Sequence, residues 1–433
     1  MLLFEGASII LPPVPYQKSR SFHHLSTQAK KGVQFSRVRP SISDPQPKAP
    51  TFKPPAPPDL DPKRAVSPTI SATTPKRSHG RSTPRLPLPK LPQVLRIALY
   101  SSKRERCGIA TYTTQLENSL ALLGHQIGHW ASDFPYIKSL NEIRAWKPDV
   151  FHIQHEMSIM PPPETLVRIA AHLRNRGTLN AITLHGESYQ TILMAQKIGK
   201  VIVHRPSHFF PGATVIPMPC TTAPAVLDRA LFRSRYGIPN EAFLISTIGF
   251  LIPWKEHSKI LQALAPWLRA RPDVHLQIIA SDHFSPSTKA YARACKAEIA
   301  SVSAELPGRI HAVHNYPSDQ EIIERLAASD LGYTWCPFDT GSSSAAAAQF
   351  TSARCPLVAS DSTHYEGLGT GIIRASKSSL SDFVRLIIET ASNPYQLETL
   401  RKNQWQTYHE RNYLETARRH VLVYREASDG GQF

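Results

Sequence analysis

The stretch VLRIALYSSKRERCGIATYTTQLENSLALLGHQ, residues 94–126, sets the fold of this chain. It opens with an apolar run typical of a buried β-strand and continues through a polar turn that contains Gly108. It ends in a segment whose apolar residues recur at helical spacing. Strand, turn and helix in this order form the first part of a βαβ unit, in which the next strand runs parallel to the first. The sequence therefore predicts an α/β domain that begins near residue 96.

The alternation of strands and helices continues to about residue 220 and then starts again. In the first series, apolar runs such as DVFHIQHE (149–156) and AITLHG (181–186) flank the amphipathic helix PETLVRIAAHLRNRG (163–177). A second series begins with AFLISTIGFL (242–251). Two such series predict an α/β fold with two Rossmann-like, doubly wound parallel-sheet domains facing a cleft. We assign the first domain to residues 96–222, the second to 223–395, and helices that cross back to the first to 396–433.

Residues 1–95 differ in composition from the rest of the chain. They hold 18 of the 38 prolines and fifteen Lys or Arg against four acidic residues, so they carry +11 of the formal net charge of +17. Proline removes backbone donors, and the segment has too little apolar surface to offset the entropy of ordering it. We predict a disordered basic arm, either a solvated linker or a contact for a polyanion, such as nucleic acid, or a protein partner. An organellar transit peptide is a further reading of this acid-poor leader.

Several protein classes are excluded by what the sequence lacks. The five cysteines are far apart and none has CxxC spacing, which argues against a disulfide framework and a zinc site. GxGxxG after the first strand and GxxxxGK[ST] are absent, which argues against a dinucleotide dehydrogenase and a P-loop enzyme. No apolar run approaches the ~20 residues that cross a bilayer. We therefore expect a cytoplasmic protein with reduced thiols, no transmembrane segment and no bound metal.

Polar residues follow many of the predicted strands. Ligands of open parallel sheets bind beyond the carboxyl ends of the strands, so these residues are the first candidates for a site. They are Gly108, His155, Glu156, His185 and Glu187 in the N-terminal domain, and Lys255, His314, Asn315, Gly341 to Ser344 and Glu366 in the C-terminal domain. Each has an ordinary structural explanation, as a turn glycine, a solvated charge or a satisfied histidine. Their recurrence at strand ends favours one site between the domains.

The segment PFDTGSSSAAAAQF, residues 337–350, is the sharpest local feature. A strand leads into Gly341 and three serines, which open an alanine-rich helix. Glycine permits close backbone approach, and the first N–H groups of a helix with its positive dipole end favour an anion. Ordinary helix capping by serine is the competing explanation. Lys255, after the first strand of the same domain, adds a positive charge suited to a diphosphate.

With these residues in place, the chain resembles the family-4 retaining glycosyltransferases of the GT-B fold over residues 96–425. In the N-terminal domain, RIALYSSKRERCGIATY, DVFHIQHE and AITLHG are similar to that family's segments. In the C-terminal domain, IGFLIPWKEHSKILQAL, RIHAVHNYPSDQEIIERLAASDLGYTWCPF and CPLVASDSTHYEGL follow in the family's order. The resemblance rests on the order and spacing of these segments.

The resemblance implies a nucleotide diphosphate-sugar donor on the C-terminal domain and an acceptor on the N-terminal one. It implies no metal and no cofactor beyond the donor substrate. Lys255 is then the ligand of the diphosphate, which the turn at Gly108 also approaches. The helix opened by Gly341 to Ser344 faces the donor, and His314 and Asn315 lie near the base. We expect His185 and Ser343 as catalytic groups and Glu366 at the donor.

The chain departs from the family's pattern at three positions. The family's arginine five residues before its lysine is Phe250 here. Its paired glutamates, eight residues apart, fall at Gly341 and Gln349; the first contacts the transferred sugar and the second the ribose. Gln349 still offers hydrogen bonds to hydroxyls, whereas Gly341 has no side chain. Either Ser342, Ser343 and Ser344 replace the glutamate or the donor chemistry has been lost.

Three functional hypotheses follow. The first is transfer of a sugar from a nucleotide diphosphate-sugar to an acceptor with retention of configuration. The second is a catalytically inactive GT-B-like binding or assembly protein that docks through its basic arm on nucleic acid or a protein partner. The third is a sugar-nucleotide epimerase with the same two-domain fold.

Overall fold

The computed structural model describes residues 91–103, 108–132, 136–157, 160–224, 226–283 and 285–429. The predicted basic arm lies outside the described residues, except for its last five positions. Among the described residues, no helix is both long and apolar enough to cross a membrane.

The N-terminal half is built on a parallel six-stranded sheet. Its strands are β1 Arg96–Ser101, β2 Gln126–Ala131, β3 Val150–His155, β4 Leu179–Leu184, β5 Lys200–Val203 and β6 Thr214–Val215. Its helices are α1 Gly108–Leu122, α2 Tyr136–Trp146, α3 Pro163–Arg174 and α4 Tyr189–Ile198. The strand order is β2-β1-β3-β4-β5-β6. Successive residues of β1 point to opposite faces, so Ile97 and Leu99 join the core under α1 while Ala98 and Tyr100 join the core under α2 and α3.

The C-terminal half is built on a second parallel six-stranded sheet. Its strands are β7 Phe243–Phe250, β8 Val274–Ser281, β9 Ile310–Val313, β10 Leu331–Thr334, β11 Leu357–Ser360 and β12 Ile372–Ala375. Its helices are α5 Arg229–Arg235, α6 His257–Ala270, α7 Lys289–Glu305, α8 Asp319–Ala327, α9 Ala345–Ser352 and α10 Leu380–Ala391. The strand order is β12-β11-β10-β7-β8-β9, so winding reverses between β7 and β10.

Two long helices close the chain, α11 Pro394–Arg411 and α12 Tyr413–Asp429. Helix α11 packs on α9 and α10 of the C-terminal half, whereas α12 packs on α1 and β4 of the N-terminal half. The chain thus crosses between the halves a second time at Asn412. There the backbone N–H of Cys220, in the first crossing, donates to the carbonyl of Arg411 at 2.7 Å.

The predicted fold class is confirmed: each half is a doubly wound parallel sheet covered by helices. One apolar cluster extends through both halves and includes Leu99, Ile248, Phe350 and Tyr413. The sequence analysis missed β2, α2, α4 and α5. Strand β2 reads QIGHWA and is exposed or half-buried along its length, so it lacks the continuous apolar run that marks the central strands.

Candidate functional site

Lys255 lies at the point of the second sheet where winding reverses. Strands β7 and β10 are neighbours there, and their carboxyl ends form the crevice in which open α/β sheets bind ligands. A 3₁₀ turn, Pro253–Lys255, follows β7 and directs the lysine into this crevice. Its Nζ lies 3.4 Å from Thr334 Oγ1, at the end of β10, and 3.3 Å from Tyr365 OH. Only 2% of Lys255 is exposed, so its ammonium group lies inside the protein.

The serine turn, Ser342 to Ser344, opens helix α9. Ser344 is the N-cap residue, and its hydroxyl accepts from the backbone N–H of Ala347 at 3.1 Å. Its own backbone N–H donates to the carbonyl of His364 at 3.0 Å. Ser343 differs because its buried hydroxyl has no hydrogen-bond partner, and the buried Oε1 of Gln349 on the same helix also has none. Such atoms cost about 1–3 kcal/mol each unless a ligand or water satisfies them.

The loop between β11 and β12 connects Lys255 to the serine turn. Tyr365 OH lies 3.1 Å from Thr334 Oγ1 as well as near the lysine. The preceding residue, His364, bonds to the serine turn through its carbonyl and places Nδ1 3.0 Å from the carbonyl of Ser342. The ammonium group and the amino end of α9 therefore belong to one hydrogen-bonded unit.

The N-terminal half holds a network of buried and half-buried side chains around four histidines, made up of His152, His185, His204 and His420 with Gln154, Thr183, Tyr112 and Tyr424. His185 Nδ1 lies 3.2 Å from His204 Nε2, and its Nε2 lies 3.1 Å from Gln154 Oε1. His204 Nδ1 donates to the carbonyl of Ile216 at 3.0 Å. Both ring nitrogens of His185 are thus engaged within its own half, as in a structural histidine.

Counting protons shows that the His185–His204 pair is neutral when the side-chain amide of Gln154 is flipped. If Gln154 Oε1 faces His185, the two rings must donate to this oxygen, to the carbonyl of Ile216 and to each other. These three hydrogen bonds need three ring protons, whereas two neutral imidazoles carry only two. Exchanging the amide oxygen and nitrogen, which have nearly the same shape, lets Gln154 donate to His185 and His185 donate to His204. Gln154 Oε1 then faces His152, whose Nδ1 lies 2.7 Å from Tyr424 OH.

Burial keeps these rings uncharged. It lowers the pKa of His152 to about 3 and that of His204 to about 4. It also lowers the pKa of His185 and of His420 well below the usual range, and the neighbouring histidines lower both further. In the described part of the chain, no group of three or more His, Cys, Asp or Glu has a geometry that could hold a metal ion.

The two halves touch where the carboxyl ends of their strands meet. Gly186 and Ser342 form an antiparallel bridge, and the N–H of Glu187 donates to the carbonyl of Gly341 at 2.9 Å. Arg205, after β5, donates to the carbonyl of Thr340 at 2.9 Å. The loops after β4 and β5 are thus joined to the loop after β10, and we call these three contacts the interdomain clamp.

The other predicted residues lie at several distances from the crevice. Gly108 is the buried first residue of α1. His314 follows β9, the edge strand, and its Nδ1 donates to the carbonyl of Ala280 at 3.0 Å, while Asn315 is exposed beside it. Glu366 lies 3.5 Å from Arg205 and is half-exposed at the interdomain clamp. His155, at the end of β3, has a buried Nδ1 without a hydrogen-bond partner, and burial lowers its pKa to about 4.

The structure adds residues that the sequence analysis missed: Thr334, Tyr365, Gln154, His204 and Arg205. Thr334 and Tyr365 contact Lys255 only because β10 lies beside β7, a neighbour relation that chain order does not reveal. His204 and Arg205 follow β5 as directly as His185 follows β4. The rule that polar residues after strands line a site applies to them equally.

A basic cavity of about 490 Å³ lies at the opposite edge of the first sheet. Arg144, Lys147 and Arg176 line it, together with Asp149. These residues precede β3 and β4 rather than follow them, so the cavity is separate from the interdomain site.

Comparison with solved structures gives the fold its name. A glycosyltransferase from Rickettsia africae is 13% identical, with a TM-score of 0.60, over 78% of this chain and 99% of that one. Anabaena HepE, solved with UDP and glucose, is 14% identical with a TM-score of 0.57, over 76% of this chain and 98% of that one. Sucrose-phosphate synthase from Thermosynechococcus elongatus is 14% identical with a TM-score of 0.57, over 77% of this chain and 99% of that one. This chain has the GT-B fold of these glycosyltransferases.

No protein-family model matches the sequence, and no curated protein matches it either.

Proposed function

We propose that the protein transfers a sugar from a nucleotide diphosphate-sugar to an acceptor hydroxyl, with retention of configuration. One observation carries the proposal: the buried ammonium group of Lys255 in the crevice between β7 and β10. A diphosphate is the ligand that matches a buried positive charge beside the amino end of a helix.

The main requirement of this reaction is that the protein stabilises the negative charge that develops. The bond between the anomeric carbon and the diphosphate oxygen breaks, the acceptor oxygen bonds to that carbon from the same face, and the acceptor proton passes to the departing phosphate. Negative charge develops on the nucleoside diphosphate as it leaves. Lys255 stabilises that charge, and the hydroxyl of Ser343 donates a hydrogen bond to the same group.

The other expected residues have supporting roles. Gln349 offers its unpartnered amide oxygen to the ribose hydroxyls, and Gly341 and Ser342 form the wall of the donor site. Gly108 approaches the diphosphate from the N-terminal half, and His314, Asn315 and Glu366 flank the nucleotide. His185 orients the loop after β4, because its ring nitrogens are bonded to Gln154 and His204.

Donor binding requires the halves to separate. Lys255, Ser342, Ser343 and Gln349 are all buried, and the interdomain clamp lies over the serine turn. The clamp consists of two backbone contacts and one hydrogen bond from the Arg205 side chain, so it is short. Its opening exposes the crevice, and its closure around the donor excludes water from the reacting atoms.

Calorimetry with a panel of nucleotide sugars tests the proposal. UDP-glucose, UDP-N-acetylglucosamine, GDP-mannose, ADP-glucose and dTDP-glucose are titrated, each beside its parent nucleoside diphosphate. The proposal expects one family of donors to bind and to be hydrolysed slowly without acceptor. Analysis of the sugar released identifies an epimerase, since that enzyme changes the configuration of a sugar hydroxyl.

A second candidate, a binding or assembly protein without catalysis, has two observations in its favour. Gly341 is pressed against Glu187, and Phe250 stands where the resemblance expects an arginine. Such a protein binds none of the nucleotide sugars in the calorimetry panel. Its basic arm then carries the function, and binding to a polyanion falls steeply with salt and is lost when residues 1–90 are deleted.

A further inference from the structure

Glu187 is an acidic residue of the N-terminal half that lies against the serine turn of the C-terminal half. Its backbone N–H donates to the carbonyl of Gly341 at 2.9 Å, and the adjacent Gly186 pairs with Ser342. Arg205, two residues before Ser207, holds the same loop through the carbonyl of Thr340. The position of Glu187 relative to the donor crevice is therefore fixed by its own backbone N–H and by the contacts of Gly186 and Arg205.

The backbone of Glu187 occupies the space that a side chain at position 341 would fill. A Cβ added to Gly341 would lie 2.2 Å from the carbonyl oxygen of Glu187, closer than any packed Cβ. Position 341 of the C-terminal half thus offers no side chain at this corner of the site. Whatever polar group meets a ligand here comes from the opposite half, and the residue that fills the corner is Glu187.

The carboxylate of Glu187 is partly buried beside polar neighbours that favour its charge. Ser207 and the guanidinium of Arg205 favour its ionised form and oppose the effect of burial on its pKa. Its Oε2 is buried and has no hydrogen-bond partner. Burial raises the pKa of Glu187, which is the expected sign for a carboxylate with unmet hydrogen bonds.

We propose that Glu187 is a specificity-determining residue that accepts a hydrogen bond from a hydroxyl of the donor's sugar. The proposal rests on the proposed function, because it assumes a diphosphate held by Lys255 and the serine turn. A carboxylate repels phosphate and accepts from hydroxyl groups, so the sugar, and not the diphosphate, is its ligand. The sugar then lies between Glu187 and Ser343, whose unpartnered atoms come from loops that are hydrogen-bonded to each other.

The test compares Glu187→Gln with wild type in two titrations, using the best donor of the panel and its parent nucleoside diphosphate. Glutamine keeps the shape and loses the charge. We expect the affinity for the nucleotide sugar to fall at least about tenfold while that for the nucleoside diphosphate stays within about twofold. Glu164→Gln, on the exposed first turn of α3, is the matched control and leaves both affinities unchanged.

Donors that lack one sugar hydroxyl identify the group that Glu187 accepts from. Wild type discriminates against one of these deoxy donors, and Glu187→Gln does not. A purely structural role for Glu187 weakens both titrations together.

The outcomes separate the two proposals. Equal losses of affinity for the nucleotide sugar and for the nucleoside diphosphate, or no loss of either, overturn the assignment of Glu187. Neither result contradicts the diphosphate site. Failure of every nucleoside diphosphate to bind wild type overturns the proposed function and this inference with it. Should Glu187→Gln fold poorly, Glu187→Asp provides the second variant, since it keeps the charge, withdraws the carboxylate from the sugar and is expected to give the same selective loss.

Discussion

The polar side chains at the carboxyl ends of the two sheets differ in how they are hydrogen-bonded. In the N-terminal half, His185, His204 and Gln154 satisfy one another in a buried neutral network. In the C-terminal half, Ser343 and Gln349 keep buried polar atoms without partners beside a buried ammonium group. The difference teaches that similar sheets arrange polar side chains differently: the His185–His204 pair of the first edge is hydrogen-bonded within the protein, whereas Ser343 and Gln349 of the second have buried atoms without partners inside it.

The largest expected effect is the response of the histidine network to acid. The folded-state pKa of His152, His155 and His204 lies below the unfolded value, so the unfolded state binds protons first as pH falls. The stability that these neutral rings confer is complete above about pH 6.5 and is lost as pH falls toward 4. We expect these three rings together to lower the free energy of unfolding on the order of 3–4 kcal/mol between pH 7 and 5.5.

Urea denaturation at a series of pH values measures how steeply the free energy of unfolding falls as the pH is lowered. His204→Asn reduces this slope, whereas His208→Asn, at an exposed position after β5, leaves it as in wild type. A slope that does not change in His204→Asn would show that the network is charged or open to solvent.

The next effect is on donor binding at Lys255. Lys255→Met keeps the length of the side chain and removes its charge, so donor affinity falls by about 1.5–3 kcal/mol, the value of a charge-assisted hydrogen bond. Lys259→Met, four residues on and exposed beside Glu256, is the control and leaves affinity unchanged. Calorimetry with a nucleoside diphosphate measures both variants, and equal affinity for the two removes Lys255 from the site.

Gly341→Ala tests the interdomain clamp. The added methyl group lies 2.2 Å from Glu187 O, so the loops must move apart at a cost of about 1–3 kcal/mol in the free energy of unfolding. Gly186→Ala meets no atom within 4 Å and is the matched control. Thermal denaturation compares the two, and equal stability would mean that the halves do not touch at this point in solution.

The smallest effect distinguishes two neighbouring serines. Ser343→Ala removes a hydroxyl without a partner, so stability stays level or rises by up to about 1 kcal/mol while donor affinity falls. Ser344→Ala removes the cap of α9 and costs about 1 kcal/mol of stability. The comparison fails if Ser343→Ala destabilises the protein as much as Ser344→Ala does.

The sequence predicted the fold class and selected several residues of the candidate site because both depend on local pattern. Lys255 and the serine turn follow strands directly, and the rule that ligands bind beyond strand ends selects them. The partners of Lys255, Thr334 and Tyr365, depend on β10 and β11 lying beside β7, which is a property of strand order. The contact between Glu187 and Gly341 joins residues from opposite halves, so no local pattern could predict it.

His185 shows the limit of the same rule. It follows β4 as the rule requires, but β3 and β5 flank that strand and bring Gln154 and His204 to its ring nitrogens. A polar residue after a strand is available to a ligand only where neighbouring strands leave it unsatisfied, and sequence alone does not give the neighbours.

Crystallisation with the nucleoside diphosphate that binds most tightly tests the diphosphate site most directly. We predict that its phosphates lie within hydrogen-bond distance of Lys255 Nζ and Ser343 Oγ, with the ribose toward Gln349. Phosphates bound elsewhere, for example in the basic cavity of Arg144, Lys147 and Arg176, with the crevice between β7 and β10 unchanged, would contradict it.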